Sequence, residues 1–554
     1  MYTITYKGRV LEFENPMSLA QILYTKNLAK DYNYIVTCGL VDNNLRELSY
    51  VIDSDASLEF LDLADKDGRN IYMRSLAFVF LHALNSVEKG AHCYIEHSLS
   101  NGLFCDIENT SSPVNNHYCQ AVKAKMQEII DADIPIERIE TTVKSAEDIY
   151  MDQKDPEKAK MMSYRDSENA VIYKLMDKYD YFYGFMLPST GFLQIFDLKL
   201  YNGSLVLLGP SIKNPDKVSE FVHQPRLFSI YNSSKVWSRT IQVPSVIYLN
   251  QNIERGNYPE LVRCCEAYHE KKICEIADTI SSDREKRIIL ISGPSSSGKT
   301  SFAQRLKLQL MVNKLKPVSI SVDNYFVNRT ITPKDKYGRP DYESINALDL
   351  EKFNFDLKML LMGEEVTLPI YNFVTGEREP AEKCQTVKIG PDQPVIIEGI
   401  HCLNPLMTES ISYGYKFRIY VSALTPLNLD KHNRISTTDI RLIRRIIRDN
   451  THRGNSAEDT LTMWESVNEG ERKNIFVFQE NADIMFNSAL IYEISVMKKY
   501  VEPLLKQIKT TSANYRQAKH MLKFLQYFKD IDDERDIPPT SILREFIGGS
   551  RIVD

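Results

Sequence analysis

No run of the 554-residue chain approaches the ~18 consecutive apolar residues that a bilayer-crossing helix needs. The opening residues, MYTITYKGRVLEFE, alternate polar and apolar side chains as a strand does, without the apolar stretch of a secretory leader. CxxC pairs are lacking as well. The nine cysteines (Cys38, Cys93, Cys105, Cys119, Cys264, Cys265, Cys274, Cys384 and Cys402) are scattered, which fits thiols in a reducing compartment better than a disulfide framework or a zinc knuckle. There is no basic excess either: a net charge of -6 argues against a chain that binds nucleic acid along its whole length. No internal repeat or low-complexity tract is visible. The expectation is a cytoplasmic protein with no membrane contact.

What the chain does have, 43% hydrophobic and 26% charged residues, is the balance of a globular protein. It is too long for one core, so roughly two to four domains are expected. Residues 1–65 read as a small mixed domain. Two alternating runs, Tyr2–Tyr6 and Arg9–Phe13, flank a Lys7-Gly8 turn, and Ser18 opens a helical stretch. Residues 66–250 read as a second α+β domain, starting with the helical RSLAFVFLHALNSV and continuing strand-rich, with an Asn202-Gly203 turn between two apolar runs. Residues 251–285 read as a polar-faced linker helix. From 286 to 505 the texture changes: Ile288–Ile291, Val318–Val322, Val395–Ile397 and Phe417–Val421 are short apolar runs, the second broken by Ser319 and Ser321 and the fourth by Arg418, alternating with helical stretches. Such runs are strands buried on both faces, so this half is expected to be a parallel sheet wrapped by helices. Residues 506–554 form a charged, helical tail.

The strongest motif lies at the first of those strands. Gly293, Gly298, Lys299 and Thr300 satisfy G-x-x-x-x-G-K-[ST] between a predicted strand and a predicted helix, the context a phosphate-binding loop requires. In such a loop the backbone N–H groups of Gly293, Pro294-Ser295-Ser296-Ser297, Gly298 and the helix start through Ser301 surround phosphate oxygens, proline aside. Lys299 then neutralises the β- and γ-phosphates, and the Thr300 hydroxyl holds Mg²⁺. The second and third strands run out at Asp323 and Glu398. Strand carboxyl ends line the crevice of a doubly wound sheet, where one carboxylate can sit near Mg²⁺ and the other can orient or deprotonate an attacking hydroxyl. Further on, RLIRRIIRDNTHRG carries Arg441, Arg444, Arg445, Arg448 and Arg453 against Asp449 alone, an imbalance that suits a helix and loop closing over phosphates.

In this order the pieces GPSSSGKT, VDNYF, YESINALD, LPIYNF, VIIEGI and RRIIRDNTHRG resemble the uridine kinase/phosphoribulokinase family over about residues 285–500. The resemblance implies a P-loop NTPase-type α/β fold and ATP- or GTP-dependent, Mg²⁺-dependent phosphoryl transfer to a small hydroxyl acceptor, by default uridine or cytidine. It implies Asp323 as general base and Mg²⁺ partner, Thr300 and Glu398 as further metal-shell groups, and Lys299, Arg448 and Arg453 as phosphate clamps. Arg445, Tyr371 and Phe373 fall where relatives hold the acceptor nucleoside. Glu343 stands where relatives usually place an aspartate for the ribose hydroxyls. Two more departures are that Thr375-Gly376 replaces the base-reading histidine and that Asn455 replaces a second lid arginine.

The first ~240 residues resemble the N-terminal part of threonyl-tRNA synthetases, a ubiquitin-like β-grasp (TGS) domain followed by an editing-type domain. RSLAFVFLHA, HSLSNGLFCDIE and YGFMLPSTGFLQIFDLKL carry the likeness. Where synthetases bring histidines and a cysteine to the editing site, this chain has Arg74, Phe78, Phe182 and Met186, so no zinc is expected. This half then reads as a binding or regulatory module for RNA, a nucleotide or its own kinase half, in a chain that can associate with its own copies. Two competing readings remain: a sugar or sugar-phosphate kinase, and an RNA- or tRNA-binding protein that uses ATP as a switch. The rings of Tyr371 and Phe373 favour an aromatic base over a bare sugar.

Overall fold

The computed structural model describes residues 1–336 and 338–553. The first unit is a five-stranded sheet whose central pair, Tyr2–Tyr6 and Ala56–Asp62, runs parallel. Lys7 and Gly8 turn the first hairpin with positive φ, and Ser18 caps helix Leu19–Thr25 through a capping box with Gln21. Ile4, Tyr6, Leu19, Ile22 and Leu48 fill its core. This is a β-grasp arrangement, as expected.

In the second unit helix Lys66–Val87 starts eight residues before Arg74, capped by Asp65. It packs on a four-stranded antiparallel sheet (His92–Leu99, Gly102–Glu108, Asp197–Tyr201, Ser204–Leu208), whose last hairpin turns at Asn202-Gly203. Residues 225–254 depart from the strand-rich expectation. They form two helices, Pro225–Thr240 and Val246–Glu254, the first starting with proline, whose fixed φ suits a first helical turn.

The elements that position the site lie in and around the expected parallel sheet. They are α1 (Tyr258–Ser282), β1 (Ile288–Ser292), α2 (Lys299–Val312), β2 (Val318–Ser321), β3 (Val395–Glu398), β4 (Lys416–Ser422), α3 (Thr437–Arg453), α4 (Ala457–Asn474), β5 (Ile484–Asn487) and α5 (Arg544–Ile547). All pairings are parallel, in the order β2-β3-β1-β4-β5. β5 was not anticipated, since three apolar residues are too short a run to stand out. Helix α1 is more than a linker. Its Ile273, Ile276, Ala277 and Ile280 bury against Phe302, Ala303, Leu306 and Leu310 of α2.

One continuous core joins the halves: Tyr150, Met162 and Tyr181 of the second unit lie in the same cluster as Ile440, Ile443 and Ile447 of α3. No helix among the described residues is long and apolar enough to cross a membrane.

Candidate active site

β1 delivers the chain into the P-loop at the carboxyl edge of the sheet. Gly293 passes so close to β4 that an added Cβ would lie 2.0 Å from the Val421 carbonyl oxygen, so only glycine fits. Gly298 caps α2 in the left-handed region, and Lys299 Nζ, at the first position of that helix, donates to the Pro294 carbonyl (3.1 Å). The loop is braced from α3 and α4. The Ser295 N–H donates to Glu471 Oε1 (2.8 Å), and Arg445 Nη1 donates to Ser295 Oγ (2.8 Å). The buried hydroxyls of Ser296 and Ser297 have no partner among the described residues.

The arginine helix corrects the expected charge balance, because Asp449 is not its only counter-ion. Arg441 is 1% exposed and makes a bidentate pair with fully buried Glu471 (2.6 and 2.6 Å). Arg444 pairs with Glu493 and donates to the Ser296 carbonyl (3.4 Å). Arg445 (3.2 Å) and Arg453 (3.2 Å) share Asp449, and Arg448 lies between Asp449 (3.9 Å) and Glu545 (3.7 Å). Two arginines are therefore structural, and three (Arg445, Arg448, Arg453) remain near the mouth of the loop. Burial, with Arg453 beside it, lowers Arg448 to about 10.

The two carboxylates predicted at the strand ends do converge. The register sets Glu398 level with both Ile291 and Ser321, and Asp323 sits one turn beyond β2. Burial raises Asp323, with Lys299, Arg453 and Arg448 pulling it back. Glu398 is pushed up to about 7 by burial and then by the Asp323 charge. Two carboxylates and the Thr300 hydroxyl are hard oxygen donors, and two partly buried like charges want a cation between them, so the set fits Mg²⁺ with phosphate oxygens and water completing the shell.

The fit carries a pH dependence. A carboxyl held near 7, above its ordinary 4.5, is protonated in the metal-free site at mildly acid pH, and a divalent cation has to displace that proton. The Mg²⁺ concentration that half-saturates nucleotide binding is expected to rise as pH falls from about 8 to about 6, approaching tenfold per unit below the pKa. A requirement that stays flat across that window in a titration of nucleotide binding contradicts the assignment.

On the acceptor side Glu343 is half-buried, its Cβ packed on Gly470 and its buried Oε2 without a partner among the described residues. Burial and the charge of Glu471 push it up to about 7, against Arg445 and Lys299. Tyr371 is 4% exposed and Phe373 54%, their ring centroids 5.0 Å apart. The Tyr371 N–H donates to Asn324 Oδ1 (3.3 Å), which ties the aromatic strand to the residue after Asp323.

Three groups escaped the sequence reading. Glu471 sits in an ordinary charged helical stretch, ERKN, and gives no local signal. Glu545 on α5 accepts from Ser301 Oγ (2.6 Å) and Ser301 N (3.4 Å), which brings the C-terminal tail onto the first turn of α2. His401, three residues after Glu398, is 1% exposed with neither ring nitrogen partnered among the described residues, and burial lowers it to about 4. Its place after VIIEGI was the available signal.

In the N-terminal half Phe78, Phe182 and Met186 are core residues, and Arg74 donates to the Tyr183 (3.2 Å) and Phe185 (3.1 Å) carbonyls. A buried network links this half to the loop that leads into α3. Lys158 pairs with Asp180 and meets His432 Nδ1 (3.1 Å), which lies 2.7 Å from Asp180 Oδ2. Burial opposes the Lys158 charge, yet Asp180 and Asp430 hold it up at about 12.

With this geometry in view, residues 288–495 match the model of the phosphoribulokinase/uridine kinase family. The chain is 31% identical over 215 residues to a uridine kinase of Mycoplasma genitalium, covering 38% of this chain and 90% of that protein. It is 27% identical over 201 residues to a threonine–tRNA ligase of Streptococcus pyogenes, covering 36% of this chain; it spans only 30% of the ligase's length. A solved structure titled as that of a possible uridine kinase from Bacillus stearothermophilus aligns at 18% identity and a TM-score of 0.24, over 36% of this chain and 89% of the other.

Proposed function

This chain belongs to the phosphoribulokinase/uridine kinase family, which makes it a small-molecule kinase, and from that premise we propose that its acceptor is a nucleoside, phosphorylated at the 5′-hydroxyl by ATP and Mg²⁺. The observation that carries this reading is an aromatic cluster beside the partly buried Asp323. Phe326, Tyr371 and Phe373 stand edge to face at 5.0 to 6.0 Å within three residues of Asp323 or hydrogen-bonded to its neighbour. Rings of that kind stack on a base and have little to offer a bare polyol.

In this reading the P-loop from Gly293 to Ser301 cradles the phosphates, with Lys299, Arg448 and Arg453 balancing their charge. Thr300, Asp323 and Glu398 hold Mg²⁺, which when bound neutralises charge on the transferring group. Asp323 takes the proton of the attacking hydroxyl, and its raised affinity for protons brings it nearer the working pH of a general base. Glu343 binds the vicinal ribose hydroxyls, and Arg445 steadies the acceptor side. The ligase-like half acts as a binding or regulatory module for RNA or a nucleotide, with the Lys158–Asp180–His432 network as its mechanical link to α3.

The test is a screen of phosphate transfer from ATP and from GTP to nucleosides, sugars and sugar phosphates with Mg²⁺. Nucleosides are expected as the productive acceptors, with 2′-deoxy forms poor because Glu343 then lacks a hydroxyl partner. Transfer to sugars or sugar phosphates alone would assign the chain to the other branch of its family. ATP binding without transfer to any acceptor would favour an ATP-driven switch.

A further inference from the structure

Gly376 and Arg329 form a lock that the sequence does not announce. Gly376 has φ +78, and a Cβ placed there would lie 2.6 to 2.8 Å from the Arg329 side chain. The hairpin of Tyr371–Asn372 and Glu377–Arg378 leans over the loop that follows Asp323. Arg378 straps it down by donating to the Tyr325 and Phe326 carbonyls (3.1 and 3.1 Å). The Arg329 N–H donates to the Gly376 carbonyl (2.8 Å), its Nη2 to the Phe373 carbonyl (2.5 Å) and its Nε to the Tyr342 hydroxyl (3.1 Å).

Nε and Nη2 each make one of these bonds and the Tyr371 hydroxyl lies beside the same guanidinium, which leaves two of its five N–H groups for a ligand on a planar fork. The fork is solvent-exposed at the rim of the enclosure formed by Phe326, Tyr342, Tyr371 and Phe373. Deeper in, the buried Tyr371 hydroxyl faces the Tyr342 hydroxyl and the Arg329 guanidinium. An aromatic cluster beside a donor-only fork describes a site for a planar ring whose edge carries lone pairs.

We propose that Arg329 sets acceptor specificity by donating two hydrogen bonds to a nucleobase edge that presents two adjacent acceptors. The inference rests on the nucleoside-kinase reading above. Hypoxanthine and guanine offer such an edge in N7 and O6, and cytosine offers N3 and O2. Adenine sets an amino donor beside N7, and uracil alternates carbonyl, N–H and carbonyl, so each would leave a donor facing a donor. A guanidinium has no acceptor with which to adapt. One bidentate pair of this kind discriminates by roughly 5- to 150-fold.

The experiment measures kcat/KM for inosine, guanosine, adenosine, cytidine, uridine and a pentose phosphate, using the full chain with ATP and Mg²⁺. Wild type is compared with Arg329→Met, which keeps the stem packed on Gly376, and with Arg329→Gln, which keeps one amide donor. Expected are inosine over adenosine and cytidine over uridine by at least ~5-fold in wild type, shrinking toward parity in Arg329→Met and partly restored in Arg329→Gln. The KM for ATP is expected to stay within about twofold, since Arg329 touches none of the P-loop. Ratios unchanged in Arg329→Met, with nucleosides still phosphorylated, overturn the role of Arg329 and leave the nucleoside reading intact. Turnover of the pentose phosphate alone, lost in Arg329→Met, overturns both, because the fork then serves a phosphate.

Discussion

Asp323→Asn is expected to lower kcat by about three orders of magnitude while nucleotide affinity changes only a few-fold. The amide keeps the size of the side chain and its place beyond β2, so the P-loop and its braces from Glu471 and Arg445 stay as they are. What the proposed reading then loses is a group that can accept the hydroxyl proton, together with one of the two carboxylates assigned to Mg²⁺. Losing the carboxylate also removes the charge that helps push Glu398 up to about 7, so Glu398 should ionise more readily in the variant. Lys299→Ala is expected to weaken nucleotide binding as well as turnover, because in the proposed reading Lys299 balances the phosphate charge. Turnover of Asp323→Asn near that of wild type in a steady-state assay would remove Asp323 from the base position.

The second large effect is on stability. Glu471→Ala is expected to destabilise the kinase half by about 3–5 kcal/mol, because it leaves Arg441, 1% exposed, as an unpaired buried cation. The same change takes the acceptor from the Ser295 N–H, so nucleotide affinity should fall together with stability. Denaturant unfolding followed by fluorescence, together with nucleotide titration, measures both. A loss below about 1 kcal/mol would mean that water or another acid reaches Arg441. The paired replacement Arg441→Met with Glu471→Leu distinguishes the causes. It should recover most of the stability, since no charge stays buried, while nucleotide binding remains weakened.

Much of the architecture was legible because it is written locally. The strands expected at Ile288–Ile291, Val318–Val322, Val395–Ile397 and Phe417–Val421 lie within one or two residues of Ile288–Ser292, Val318–Ser321, Val395–Glu398 and Lys416–Ser422. The unbroken apolar runs of Ile288–Ile291 and Val395–Ile397 in particular point to a doubly covered position in a sheet. Misreadings came where a signal was short or had two meanings. β5 offers a single apolar triplet, Ile484-Met485-Phe486. The stretch from Pro225 to Glu254 follows a strand-rich region, and its weak helical spacing was absorbed into that pattern. The polar look of α1 concealed a buried face, because Ile273, Ile276 and Ile280 are widely spaced among charges.

The division between sequence and tertiary structure follows contact distance along the chain. A phosphate-binding loop is a contiguous strand, turn and helix start, so eight neighbouring residues from Gly293 to Thr300 specify it without outside help. Asp323 and Glu398 were also readable, because a parallel sheet brings every strand's carboxyl end to the same edge. The sequence alone therefore determined the fold class of this half and the general position of its chemistry. Which arginines stay available, and what the acceptor meets, was decided only in three dimensions. Arg441 is matched by Glu471, Arg444 by Glu493, Ser301 by Glu545 and Arg329 by the Gly376 hairpin, over separations of 30 to 244 residues. No periodicity relates such partners, since their meeting depends on how helices and loops pack around the sheet.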